Sequence, residues 1–173
     1  MSMKKNRSIK YIAVLLAVMM GLAAAFCACG PSEETPDASV GKREALSLPF
    51  RGTEIAAGDA VEPLLTVLGD DYTMQEAASC AGIGKDYVYT YPSLRLYVFA
   101  PEGGEAIVTS VCYTDDGAAI KGITIGCAAD AAVAALGEPD EHTEGKLVYR
   151  DEMSVLTLSL RDGIVTAIVL SEK

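Results

Sequence analysis

Hydrophobic positions recur with a period of two along six stretches of the chain: VYTYP (88–92), LRLYVFA (94–100), IVTSVCYT (107–114), KLVYR (146–150), SVLTLSL (154–160) and GIVTAIVL (163–170). Such alternation, in segments rich in Val, Ile, Thr and Tyr, predicts half-buried β-strands. PEGG, TDDG and RDG between them are turn signals. Two other segments carry apolar residues at helical spacing. Leu64, Leu65 and Leu68 follow Pro63, which suits a first helical turn, and stop at Gly69. Val133 and Leu136 follow Asp130, a residue able to cap, and stop at Gly137 and Pro139. The order is a helix and then three strands, twice. The pattern predicts an α+β domain over 50–173 made of two tandem units, about 50–116 and 117–173. Each unit is a short helix plus a three-stranded antiparallel meander, with the helices on one face of the sheet.

Local matches point to a diverged duplication. Gly52-Thr53-Glu54-Ile55 parallels Gly122-Ile123-Thr124-Ile125, Val88-Tyr89 parallels Val148-Tyr149, and Ile107-Val108-Thr109 parallels Ile164-Val165-Thr166, in the same order along the chain. The first unit is longer, mostly through DDYTMQEAASCAGIGKD (70–86), read as an insert.

Alternation also assigns faces. Leu156, Leu158 and Leu160 share one side of a strand, and so do Leu94, Leu96 and Val98; these sides should meet the helices. Arg95, Tyr97 and Phe99 point the other way, to a face read as open, and Tyr87, Tyr89 and Tyr91 are read onto the same face. The competing reading is a sheet covered on both sides, with the tyrosines buried and only their hydroxyls wet.

The N-terminus has a different pattern. Lys4, Lys5, Arg7 and Lys10 precede 18 uncharged residues, Tyr11–Ala28, the order of a secretory signal. Phe26-Cys27-Ala28-Cys29-Gly30 resembles a bacterial lipobox, with Ala28 at the small position and Cys29 as the lipidated cysteine. Residues 1–28 are therefore read as a lipoprotein signal peptide. Acyl chains on Cys29 contribute about 0.8 kcal/mol per buried CH₂, so the mature chain would be held stably on the extracytoplasmic face of the cell membrane. Residues 29–49, rich in Pro and small polar side chains, read as a flexible tether with a root-mean-square span of about 25 Å.

Charge narrows the partners. Without the four basic residues of the signal, ten Lys and Arg stand against 24 Asp and Glu, a net charge of −14. Nucleic acid and anionic lipid headgroups would both repel such a surface. The residues offer little catalytic chemistry. His142 is the sole histidine and lies in the acidic stretch GEPDEHTEGK, with no nucleophile elbow in the chain. Gly82-Ile83-Gly84-Lys85 lacks the earlier glycine and the following Ser or Thr of a phosphate loop. Cys80, Cys112 and Cys127 have no metal-ligand spacing. A Cys80–Cys112 disulfide, a Cys112–Cys127 disulfide and three free thiols are all compatible with the spacing. No catalytic residue, metal or cofactor is therefore assigned.

The second unit, GITIGCAADAAVAALGEPD…LVYRDEMSVLTLSLRDGIVTAIVL, resembles the BamE/SmpA-like, β-lactamase-inhibitor-like module at Gly122, Ile123, Gly126, Leu136, Gly137, Pro139, Gly163, Val165 and Thr166. The whole domain is similar to small tandem-unit lipoproteins of anaerobic Gram-positive bacteria. The resemblance implies an α+β fold and binding of another protein, and brings no catalytic residues. The sequence is thus read as a membrane-tethered, non-enzymatic module that binds an envelope or secreted protein through Arg95, Tyr97, Phe99, Tyr87 and Tyr89. The alternatives are an inhibitor of a secreted enzyme and a small cell-wall hydrolase.

Overall fold

The computed structural model describes residues 44–80 and 83–173. The segment read as a signal peptide, Cys29, and the stretch read as a tether up to residue 43 lie outside the described residues. The fold begins with β1 (Leu48–Phe50) and β2 (Thr53–Ile55), a short antiparallel ribbon. Helix α1 (Val61–Leu68) follows, then β3 (Thr73–Ala78), β4 (Gly84–Tyr91), β5 (Leu94–Pro101) and β6 (Ile107–Tyr113). Helix α2 (Ala129–Leu136) leads into β7 (Glu141–Thr143), β8 (Lys146–Arg150), β9 (Ser154–Arg161) and β10 (Ile164–Glu172). Strands β3 to β10 form one antiparallel sheet of eight strands in the order β3-β4-β5-β6-β10-β9-β8-β7. Two meanders thus meet along β6 and β10, where Val111 faces Leu170 and Cys112 faces Val169.

This overturns the expected α+β architecture of two helix-plus-three-strand units. The described chain is mostly β, 50% strand against 12% helix, with a single large sheet and a small ribbon. Within the large sheet the missed strands are β3 and β7, one at each edge. An edge strand pairs on one side only and need not bury a face. TMQEAA in β3 is exposed at all six positions, and EHT in β7 spans three residues, so neither has an apolar alternation to detect. The fold also reaches back into the stretch read as tether. Leu48 is buried in β1, and the Leu46 N–H donates to Asp151 Oδ2 at 2.6 Å.

The core lies on one side of the sheet. Leu94, Leu96, Val98, Leu156, Leu158 and Leu170 meet Val61, Leu64 and Leu68 of α1, Ala129 and Ala132 of α2, and Leu48 and Ile55 of the ribbon in one buried cluster. Each helix hangs from the last strand of its own meander by equivalent backbone bonds. Gly58 N–H donates to Val108 O (2.7 Å) and Val61 N–H to Ala106 O (3.0 Å); Gly126 N–H donates to Val165 O (2.8 Å) and Ala129 N–H to Gly163 O (2.8 Å). Asp130 does not cap α2. The N-cap is Ala128, and Asp130 lies in the first turn, where its charge favours the positive end of the helix dipole. Arg51 closes α1 instead: its Nη1 donates to Leu68 O at 2.9 Å and its Nη2 pairs with Asp71 at 3.0 Å. Between β9 and β10, Asp162 and Gly163 hold φ of 52° and 75°, the two left-handed positions of a type I′ hairpin turn.

Candidate functional site

The face opposite the core carries the residues singled out on β5. Arg95, Tyr97 and Phe99 are half-buried there and none belongs to the core cluster. Register supplies their neighbours. On β4, Thr90 faces Arg95, Val88 faces Tyr97 and Asp86 faces Phe99; on β6, the partners are Cys112, Ser110 and Ile107. The result is a patch of Val88, Tyr97, Phe99 and Ile107 with polar neighbours.

A bulge lies within the patch. Between Tyr97 and Val98 the pairing with β6 shifts by one residue, and Thr109 Oγ1 donates to Tyr97 O at 3.2 Å. Bulges increase local twist and re-aim side chains, and the alternating pattern of β5 does not betray one.

Arg95 has the least ordinary environment on this face. Its Nη1 donates to Tyr97 Oη at 3.3 Å, while its Nε is buried without a hydrogen-bond partner. A guanidinium donor left unmade forfeits the favourable energy of a charge-assisted bond. Across the strand, burial pushes the Cys112 thiol above its ordinary pKa, and the Arg95 charge partly opposes this. Cys80, Cys112 and Cys127 are all free thiols.

Tyr87 and Tyr89 do not join Arg95, Tyr97 and Phe99. Tyr87 faces Val98, Tyr89 faces Leu96 and Tyr91 faces Leu94, so all three tyrosines lie on the core side. Tyr89 and Tyr91 are buried. Tyr72 packs on both rings, with centroids at 5.1 Å and 5.2 Å, and the Tyr91 hydroxyl donates to Gly69 O at 3.0 Å. Burial pushes the Tyr91 phenol up to about 12. A sequence signal for this existed. A two-residue connection, Pro92-Ser93, makes Tyr91 and Leu94 direct cross-strand partners on one face.

The second meander presents different chemistry at the equivalent place. Its β9 mirrors β5 in the strand order, and on the open side it carries Val155, Thr157 and Ser159. Beside them β8 places Lys146, Val148 and Arg150 on the same face, so the second half carries charged and aliphatic side chains where the first carries aromatic ones.

Other hollows hold less. His142, Asp130, Arg161 and Asp162 line an open concavity of about 700 Å³ that contains no serine or cysteine. Among the described residues there is no cluster of three or more His, Cys, Asp or Glu able to hold a metal ion, and no helix is long and apolar enough to cross a membrane. No protein-family model, no curated protein and no solved structure matches the chain.

Proposed function

We propose that this chain is a lipid-tethered, extracytoplasmic binding module that engages another envelope or secreted protein through the β4-β5-β6 part of its open sheet face. The observation that carries the reading is the concentration of Arg95, Tyr97 and Phe99 on that face, beside Val88 and Ile107, where β9 has Val155, Thr157 and Ser159. Tyr and Arg dominate binding energy at protein interfaces, because each offers a broad surface with a polar end. The unpartnered Arg95 Nε adds a donor that a rearranged Arg95 can give to an acceptor on the partner. An acidic chain with Arg95 at one end of its patch also suits a partner that is basic overall and offers a carbonyl or carboxylate at that point.

A photo-cross-linking amino acid tests the face directly. Placed at Thr90 of the full chain in intact cells, beside Arg95, it should trap a discrete protein species. Placed at Val67, an exposed position on α1, it should not. Equal trapping at both positions, or none at Thr90, would remove the assignment.

A further inference from the structure

The outer edge of the sheet at β3 is built for pairing. Its register with β4 is regular, from Thr73 opposite Thr90 to Ala78 opposite Lys85, with no bulge. The direction of its backbone groups follows from the ladder. Ser79 N–H donates to Gly84 O at 3.2 Å, and beyond β4 Glu102 N–H donates to Ile83 O at 3.2 Å. Antiparallel ladders alternate, so Thr73, Gln75 and Ala77 turn their N–H and C=O groups to β4. Met74, Glu76 and Ala78 turn theirs outward.

Proteins normally block such an edge with proline, lysine, a bulge or short length. The opposite edge, β7, has only three residues. By contrast β3 has six, all exposed, with neither proline nor lysine. Its one charge, Glu76, is matched by Lys85 on β4 at 2.6 Å.

We propose that β3 pairs antiparallel with β3 of a second copy of this chain, giving one continuous sheet of sixteen strands. A two-fold axis through Gln75 satisfies the geometry. Met74 and Glu76 of the two copies then exchange both backbone bonds at each end of the pairing, using the outward groups already identified. Gln75 faces Gln75 across the axis, where each amide can both donate and accept. An axis through Glu76 would set two carboxylates directly opposite. An axis through Ala77 would run the pairing into the turn at Cys80. The axis stands normal to the sheet, so the two open faces lie on the same side of the assembly. The dimer does not depend on those faces being binding surfaces.

Cysteine placement reads the register. Across the axis, Gln75 and Gln75 form a non-hydrogen-bonded pair with Cα atoms about 4.5 Å apart, within disulfide range. In the full chain carrying Cys80→Ser, Gln75→Cys should cross-link to a species of twice the monomer mass under mild oxidation. The yield should be at least tenfold above that of Met74→Cys, whose partner is Glu76. Adding Met74→Pro to Gln75→Cys should abolish the product, because proline removes an outward N–H and leaves the β4 ladder intact. Equal yields at 74 and 75, no product at 75, or a product of another mass would overturn the proposal.

Discussion

Leu158 faces Ile168 on β10 and Leu147 on β8, and all three are fully buried. Leu158→Ala should therefore cost about 2–5 kcal/mol, the range for a buried leucine whose cavity collapses only in part. Denaturant midpoints compare the two proteins; an unchanged midpoint would place the residue outside the core. Asp151 does a different kind of work. Burial pushes its carboxyl up, but the N–H groups of Leu46, Ser154 and Met153 together outweigh this and hold it below the ordinary carboxylate value. These bonds fasten the start of the fold at Leu46 to the turn before β9. A pKa lowered by folding adds stability above the unfolded value of about 3.9 and loses it as pH falls through the folded value. Wild type should exceed Asp151→Asn in stability at pH 6, and the gap should close below pH about 4. A gap independent of pH would show that the charge plays no part.

Elements were legible where one face is buried and the other is not. All six alternating stretches fall, to within one residue at an end, on β4, β5, β6, β8, β9 and β10, and both helices end at their glycines, Gly69 and Gly137. What periodicity cannot reveal is an element that buries nothing. Thr73–Ala78 and Glu141–Thr143 close the two edges by backbone bonding, which is blind to side-chain type, and their loss from the reading turned one mostly-β sheet into two small α+β units. Face assignment failed by the same route. Alternation groups Tyr87, Tyr89 and Tyr91 but does not say which face they take; the Pro92-Ser93 connection does. Strand β6 offers a check on its own burial. Cys112 is half-buried with a raised thiol pKa, and Cys80 is exposed. Iodoacetamide at pH 8 should therefore modify Cys80 at least tenfold faster. Comparable rates would show that the sheet face at Cys112 is open to small reagents.

For the whole molecule, the proposed attachment and the proposed recognition fall in separate parts of the chain. Attachment is proposed at Cys29, outside the described residues. Cys29→Ser should abolish incorporation of labelled fatty acid, and label lost only with Cys27→Ser would move the site. Recognition is proposed for the β4-β5-β6 face, and Tyr97 is its most direct test, because the two accounts of that residue predict opposite results. The measurement is the affinity of Tyr97→Ala for the trapped protein, per folded molecule, alongside its denaturant midpoint, with Thr157→Ala on β9 as the counterpart. A binding face predicts that Tyr97→Ala weakens capture at least about fivefold, roughly 1 kcal/mol, with the midpoint nearly unchanged and Thr157→Ala neutral. A fall in stability of several kcal/mol with intact affinity per folded molecule would contradict it, and would make Tyr97 a packing residue.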